Sequence, residues 1–116
     1  MAEGRPPHDE PIPERIATDL DRYRRRIDEL DEQLVRLLNA RAACANEIGR
    51  LKEQVGMEVY QPGRERTVLD HVRGLNAGPL PDVAVIRVFE RIIDESRRLE
   101  RLREGRDPGN GRESGS

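Results

Sequence analysis

Tryptophan is absent, aromatic residues are only 3 % of the 116, and the whole hydrophobic share is 34 %. A chain this short with so little apolar material has room for one domain and only a thin core of its own. Its apolar residues are mostly Leu, Ile, Val and Ala, which suit helix seams better than sheet faces, so an all-α fold is expected. Cysteine is nearly missing too: Cys44 stands alone inside a helical apolar pattern, which excludes disulfide staples and cysteine-held metal. His8 and His71 are the only histidines, and they offer no cluster for a metal. No stretch approaches the length of a membrane span, and Met1 to Glu14 are Pro-rich and acidic without the apolar segment of a secretory leader. No membrane partner is expected, and the protein reads as cytoplasmic. What the sequence does have is charge, 38 % of its residues, yet this nearly cancels to a net -2. No basic block is large enough to grip a phosphate backbone, so nucleic acid is not an expected partner.

Composition also marks the ends. Pro6, Pro7, Pro11 and Pro13 crowd the start, and Gly105, Gly109, Gly111 and Gly115 with Pro108 crowd the end. Residues 1–15 and 105–116 are therefore expected to be disordered tails around a single domain at 16–104. Within it, Thr18 is a suitable N-cap for a helix whose apolar residues recur at Leu20, Tyr23, Ile27, Leu30, Leu34 and Leu37, then at Cys44, Ile48, Leu51 and Val55. That three-four alternation predicts one helix of roughly 35 residues, about 50 Å long, ended by Gly56. A second helix follows Pro62 with Val68, Leu69, Val72 and Leu75 on one face, up to the break Asn76-Ala77-Gly78-Pro79. Asp82 is placed to cap a third, with Val85, Ile86, Phe89, Ile92, Ile93, Ser96 and Leu99 as its buried stripe. Helices of roughly 12 and 22 residues cannot cover the seam of a helix about 50 Å long, so another chain must bury part of it. A plain coiled-coil dimer and an intertwined bundle both satisfy this pattern.

Several polar residues interrupt the apolar faces. Arg41 occupies a seam position, where an unpaired guanidinium is costly, so something anionic should meet it; an interhelical salt bridge is the plain alternative to a ligand. Lys52 follows eleven residues later, which returns it to within about 20° of the same face some three turns on. Ala45 and Ile48 lie between them, so that wall resembles a pocket lining more than a solvated charge ladder. Lys52 is also the only lysine; the rest of the 21 basic residues are arginine. A compact ammonium retained against that bias hints at a need for a point-charge donor, with chance retention as the alternative. Arg24 lies about 100° off this face and about 25 Å up the helix, so it can join Arg41 and Lys52 only from a partner chain; its neighbours Arg25 and Arg26 allow a simple solvated cluster instead. In the third helix Ser96 and Glu100 continue the face of Phe89, Ile92 and Ile93, either pointing into a cavity or satisfied locally by a backbone carbonyl and by Arg97 or Arg103. Glu65, in the first turn of the second helix, is favoured there by the dipole whatever its role. Jointly, such cations, hydroxyl and carboxyls in a chain that must dimerise suit a small polar dianion.

The order of these features resembles the all-α, type II chorismate mutase family over roughly Asp19 to Arg103. The matching stretches are Arg24-x-x-Ile27-Asp28-x-Leu30-Asp31, Leu37-Leu38-x-x-Arg41, Ile48-Gly49-x-x-Lys52, Val59-Tyr60-x-Pro62-x-Arg64-Glu65, and Phe89-x-x-Ile92-Ile93-x-x-Ser96-x-x-x-Glu100. The resemblance implies an intertwined homodimer of three-helix subunits that converts chorismate to prephenate without cofactor or metal. It implies that Arg41, and Arg24 donated by the other subunit, hold the two substrate carboxylates, and that Lys52 contacts the ether oxygen and a carboxylate. Glu65 would take the ring hydroxyl, Arg64 would support the site, and Ser96 would help bind the ring carboxylate. Glu100 falls where the family carries Gln or Glu opposite the ether oxygen, and Gln61 stands where some members have Asp.

The implied reaction is a unimolecular Claisen rearrangement, which needs no nucleophile. The protein must hold a diaxial, chair-like conformer and stabilise negative charge growing on the ether oxygen. Arginine forks suit the carboxylates and an ammonium suits the oxygen. A Glu100 carboxylate would repel that oxygen, so the acid form is expected in the active complex. Isochorismate pyruvate-lyases and aminodeoxychorismate mutases resemble the same family closely, with Glu65 and Gln61 placed to discriminate, and a non-catalytic helical dimerisation module is the reading from a different class. No dehydratase, dehydrogenase or synthase domain occurs in these residues, so the chain reads as monofunctional.

Overall fold

The computed structural model describes residues 11–103, and among them every regular element is helical: α1 (Glu14–Val55), α2 (Pro62–Leu75) and α3 (Asp82–Arg103). The C-terminal tail expected at 105–116 lies outside the described residues, as does all of the N-terminal tail except its last few positions. No described helix is long and apolar enough to cross a membrane. By internal contacts the chain divides into residues 1–37 and residues 38–116.

In the first unit, α1 begins four residues ahead of the expected cap, at Glu14. The carbonyl of Pro13 accepts the Ala17 amide at 3.0 Å, so proline with its fixed φ sets the entry, and the Glu14 carboxylate favours the positive end of the helix. Thr18 is simply an interior helical residue. The ridge of Leu20, Tyr23, Ile27, Leu30, Leu34 and Leu37 runs along this stretch as the spacing predicts, but every member is exposed, Leu37 at 65 %.

The second unit holds the end of α1 with α2 and α3. Gly56 terminates α1 in the left-handed region at φ 71°, where a side chain would be strained, and the amides of Gly56 and Met57 close on Glu53 and Lys52 carbonyls. Pro62 takes the first position of α2, where its missing N–H costs nothing. The Gln61 carbonyl accepts the Arg64 and Glu65 amides, while the Gln61 side chain makes no capping bond. In the link to α3, the Asn76 amide nitrogen donates to the Leu80 carbonyl at 2.8 Å and to Asp82 Oδ1 at 2.7 Å. Asp82 is thus not the cap it was expected to be: the Pro81 carbonyl accepts the Ala84 and Val85 amides, which makes Pro81 the cap and Asp82 the first helical residue.

The core is as thin as the composition implies. Among the described residues Val72 is the buried hydrophobic side chain, at 8 % exposure, and Gly49 is the buried position of α1. Val68, Leu69, Val85, Ile86, Phe89, Ile92 and Ile93 are half-buried, whereas Leu75 and Leu99, assigned to the same stripes, are exposed.

Candidate active site

A cavity of about 390 Å³ opens in the second unit, and each helix supplies its wall at helical spacing. From α1 come Arg41, Cys44, Ala45, Ile48 and Lys52; from the start of α2 Gln61, Arg64, Glu65 and Val68; from α3 Ile93, Ser96, Arg97 and Glu100, with Val59 from the intervening loop. Positions i, i+3, i+4 and i+7 share a helix face, which is why residues scattered over sixty positions converge. Of the site residues expected from the sequence, Arg41, Lys52, Gln61, Arg64, Glu65, Ser96 and Glu100 all line this cavity. Arg24 is an exposed residue of the first unit and does not line it.

Pairing inside the cavity is unusual for so charged a chain. One Arg41 Nη donates to Ser96 Oγ at 3.2 Å, and Lys52 Nζ donates to the Val59 carbonyl at 3.2 Å. Both cations are half-buried. Both bonds end on neutral oxygen atoms, a hydroxyl and a backbone carbonyl. Ser96 accepts this bond from Arg41 across the helix interface. A neutral acceptor does not itself compensate a guanidinium charge, and a wall bearing Arg41, Lys52 and Arg64 attracts a small anion. Glu100, at 7 % exposure the buried charged residue of the described chain, stands on the same wall.

Arg97 is the functional candidate that sequence reading passed over, entering only beside Arg103 as a local partner for Glu100. It meets Glu65 at 3.1 Å and Asp94 at 2.9 Å, and its guanidinium lies 4.8 Å from the Tyr60 ring centroid. The signal was present: Ile93, Ser96, Arg97 and Glu100 follow the three-four spacing of one face.

The sequence model of the family described as chorismate mutase type II matches residues 23–101. The bifunctional chorismate mutase/prephenate dehydratase of Neisseria gonorrhoeae is 44 % identical over 79 residues, covering 68 % of this chain and 21 % of that protein. The corresponding bifunctional protein of Pseudomonas aeruginosa is 42 % identical over 86 residues, 70 % of this chain and 24 % of its own length. The chain thus spans about a fifth to a quarter of these bifunctional relatives. Chorismate mutase (form II) of Thermus thermophilus superposes with a TM-score of 0.69 at 33 % identity, covering 71 % of this chain and 93 % of that one. By sequence and by fold, this chain belongs to the type II chorismate mutase family.

Proposed function

We propose that the cavity binds chorismate and rearranges it to prephenate. The observation that carries this reading is the convergence of Arg41, Lys52 and Arg64 on one cavity of about 390 Å³, with Arg41 and Lys52 bonded to a hydroxyl and a backbone carbonyl in a chain that has 23 acidic residues. Chorismate is a dianion, and the guanidinium of Arg41 matches one carboxylate through paired N–H donors. Lys52 supplies a compact ammonium to the ether oxygen, where charge develops as the C–O bond breaks while the new C–C bond forms. No atom leaves and none is added, so the residues act by holding the folded conformer and by electrostatics. Glu65 receives the ring hydroxyl, and Ser96 supports Arg41 and the ring carboxylate. Glu100, on the same wall, acts as an acid donating to the ether oxygen.

The site is completed in this reading by a second copy of the chain, which supplies Arg24 to the remaining carboxylate. Support comes from the exposed ridge of Leu20, Tyr23, Ile27, Leu30, Leu34 and Leu37. An apolar groove of about 450 Å³ in the second unit, with Leu38, Ala42, Ile92, Leu99 and Leu102 in its walls, adds further surface that a partner would cover. So much exposed apolar surface favours an intertwined homodimer.

Incubating the purified protein with chorismate, following the loss of its ultraviolet absorbance and converting the product to phenylpyruvate with acid tests the reaction directly. Prephenate at an enzymatic rate is expected. Turnover of isochorismate or aminodeoxychorismate with chorismate untouched would move the reaction to those relatives, and no turnover of any would leave a dimerisation module. In the same assay, mixing inactive Arg24→Ala and Lys52→Ala chains should restore part of the activity, because one hybrid site then carries both cations.

A further inference from the structure

Glu65 poses a problem that its surroundings answer. Its carboxylate lines the same cavity as the cations Arg41, Lys52 and Arg64. Left to itself, such a carboxylate would swing to the nearest of them and neutralise the charge that a dianionic ligand needs. It does not, because the guanidinium of Arg97 meets Glu65 Oε2 at 3.1 Å from the opposite helix. Three segments hold Arg97 in place: Asp94 on its own helix at 2.9 Å, the Tyr60 ring of the loop before α2 at 4.8 Å, and Glu65 itself on α2. Its Nε is fully enclosed, and its side chain is 23 % exposed against 59 % for Asp94. Asp94, at i−3, already offers the local partner that suffices for the arginines on the outer faces, so the reach across to α2 is a separate feature of this residue.

We propose that Arg97 is a positioning residue that keeps the Glu65 carboxylate turned away from the cationic wall and aimed at the substrate's ring hydroxyl. The role rests on the reading of the cavity as the chorismate site. A carboxylate has about four acceptor positions, so the contact with Arg97 leaves Glu65 able to accept a hydroxyl. The planar guanidinium suits this task because the ring of Tyr60 covers one face while its edge meets the carboxylates.

The test compares Arg97→Gln, Arg97→Lys, Glu65→Gln and the double variant Arg97→Gln/Glu65→Gln, with kcat and KM for chorismate measured separately and circular dichroism recorded for each. Arg97→Gln should raise KM on the order of tenfold, more than it lowers kcat, because Glu65 then competes with substrate for the cations. Arg97→Lys, which keeps the charge, should recover part of that loss. Glu65→Gln should itself weaken kcat/KM, and in its background Arg97→Gln should add less than about a twofold further effect, since the competing carboxylate is gone. Asp94→Asn, which weakens one of the three holds on Arg97, should raise KM by less than Arg97→Gln does. An equal Arg97→Gln effect in both backgrounds, with Glu65→Gln impaired, would overturn the role of Arg97 and spare the hydroxyl contact. Full activity in Glu65→Gln would overturn both. A fall in kcat with KM unchanged and helicity lost would reduce Arg97 to a structural strut.

Discussion

On the outer faces of the helices, Arg22, Arg26, Arg36, Arg50, Arg73 and Arg91 each meet a carboxylate three or four residues away. At the cavity, Arg41 meets a hydroxyl and Lys52 a backbone carbonyl. The local sequence accounts for both. Around Arg41 the positions one turn away are Leu37, Leu38, Cys44 and Ala45; around Lys52 they are Ile48, Gly49, Val55 and Gly56; around Arg64 they are Tyr60, Gln61, Thr67 and Val68. None is acidic, so helix periodicity denies these cations the partners it grants the others. Exposed pairs contribute little, typically 0 to about 1 kcal/mol, and serve solubility. An uncompensated half-buried cation costs stability, and it persists where a ligand will meet it.

The comparison can be broken by substitution. Lys52→Ala should lower kcat by on the order of 10²- to 10³-fold or more, the usual loss for one preorganised donor, while Arg36→Ala on the outer face leaves the rate unchanged. An unaltered rate for Lys52→Ala in the chorismate assay would remove it from the chemistry. Arg41→Leu should lower kcat/KM by about 10²-fold while leaving the thermal midpoint equal or higher, because the leucine restores the apolar seam. Differential scanning calorimetry beside the assay reads both, and a lower midpoint with activity intact would assign Arg41 to structure. The smallest effect is a change in shape: if Glu100 donates as an acid, activity is full at low pH and declines as pH rises and the proton is lost. Glu100→Gln, which keeps the donor without titrating, should flatten the profile, and an identical profile in that variant would exclude the donation.

The helices were legible because their signals are local. Gly56 and Pro62 bound α1 and α2 where expected, and the three-four spacing of Val85, Ile86, Phe89, Ile92 and Ile93 marks the inner face of α3. Helix starts were less so. Thr18 and Asp82 are good caps by residue type, yet Pro13 and Pro81 take those positions, since a fixed φ and a free carbonyl satisfy the first amides without a side-chain acceptor. Arg41 and Lys52 stood out within one helix because they interrupt its seam, and the family pattern carried Gln61, Arg64, Glu65, Ser96 and Glu100 to the same cavity. Arg97 escaped because it was weighed only as a local partner for Glu100, while its contact with Glu65 crosses to another helix.

By itself, then, the sequence determined the class of fold, the three helices, the thinness of the core and the cations that lack a partner one turn away. These follow from periodicity and composition, which act between residues a few positions apart. Only the tertiary structure decided that Arg41 answers Ser96 and that Arg97 reaches Glu65, because contacts across 55 and 32 positions depend on how helix faces meet. No one-dimensional spacing encodes the rotation of one helix against another; that is set by the packing of Val72 and its half-buried neighbours.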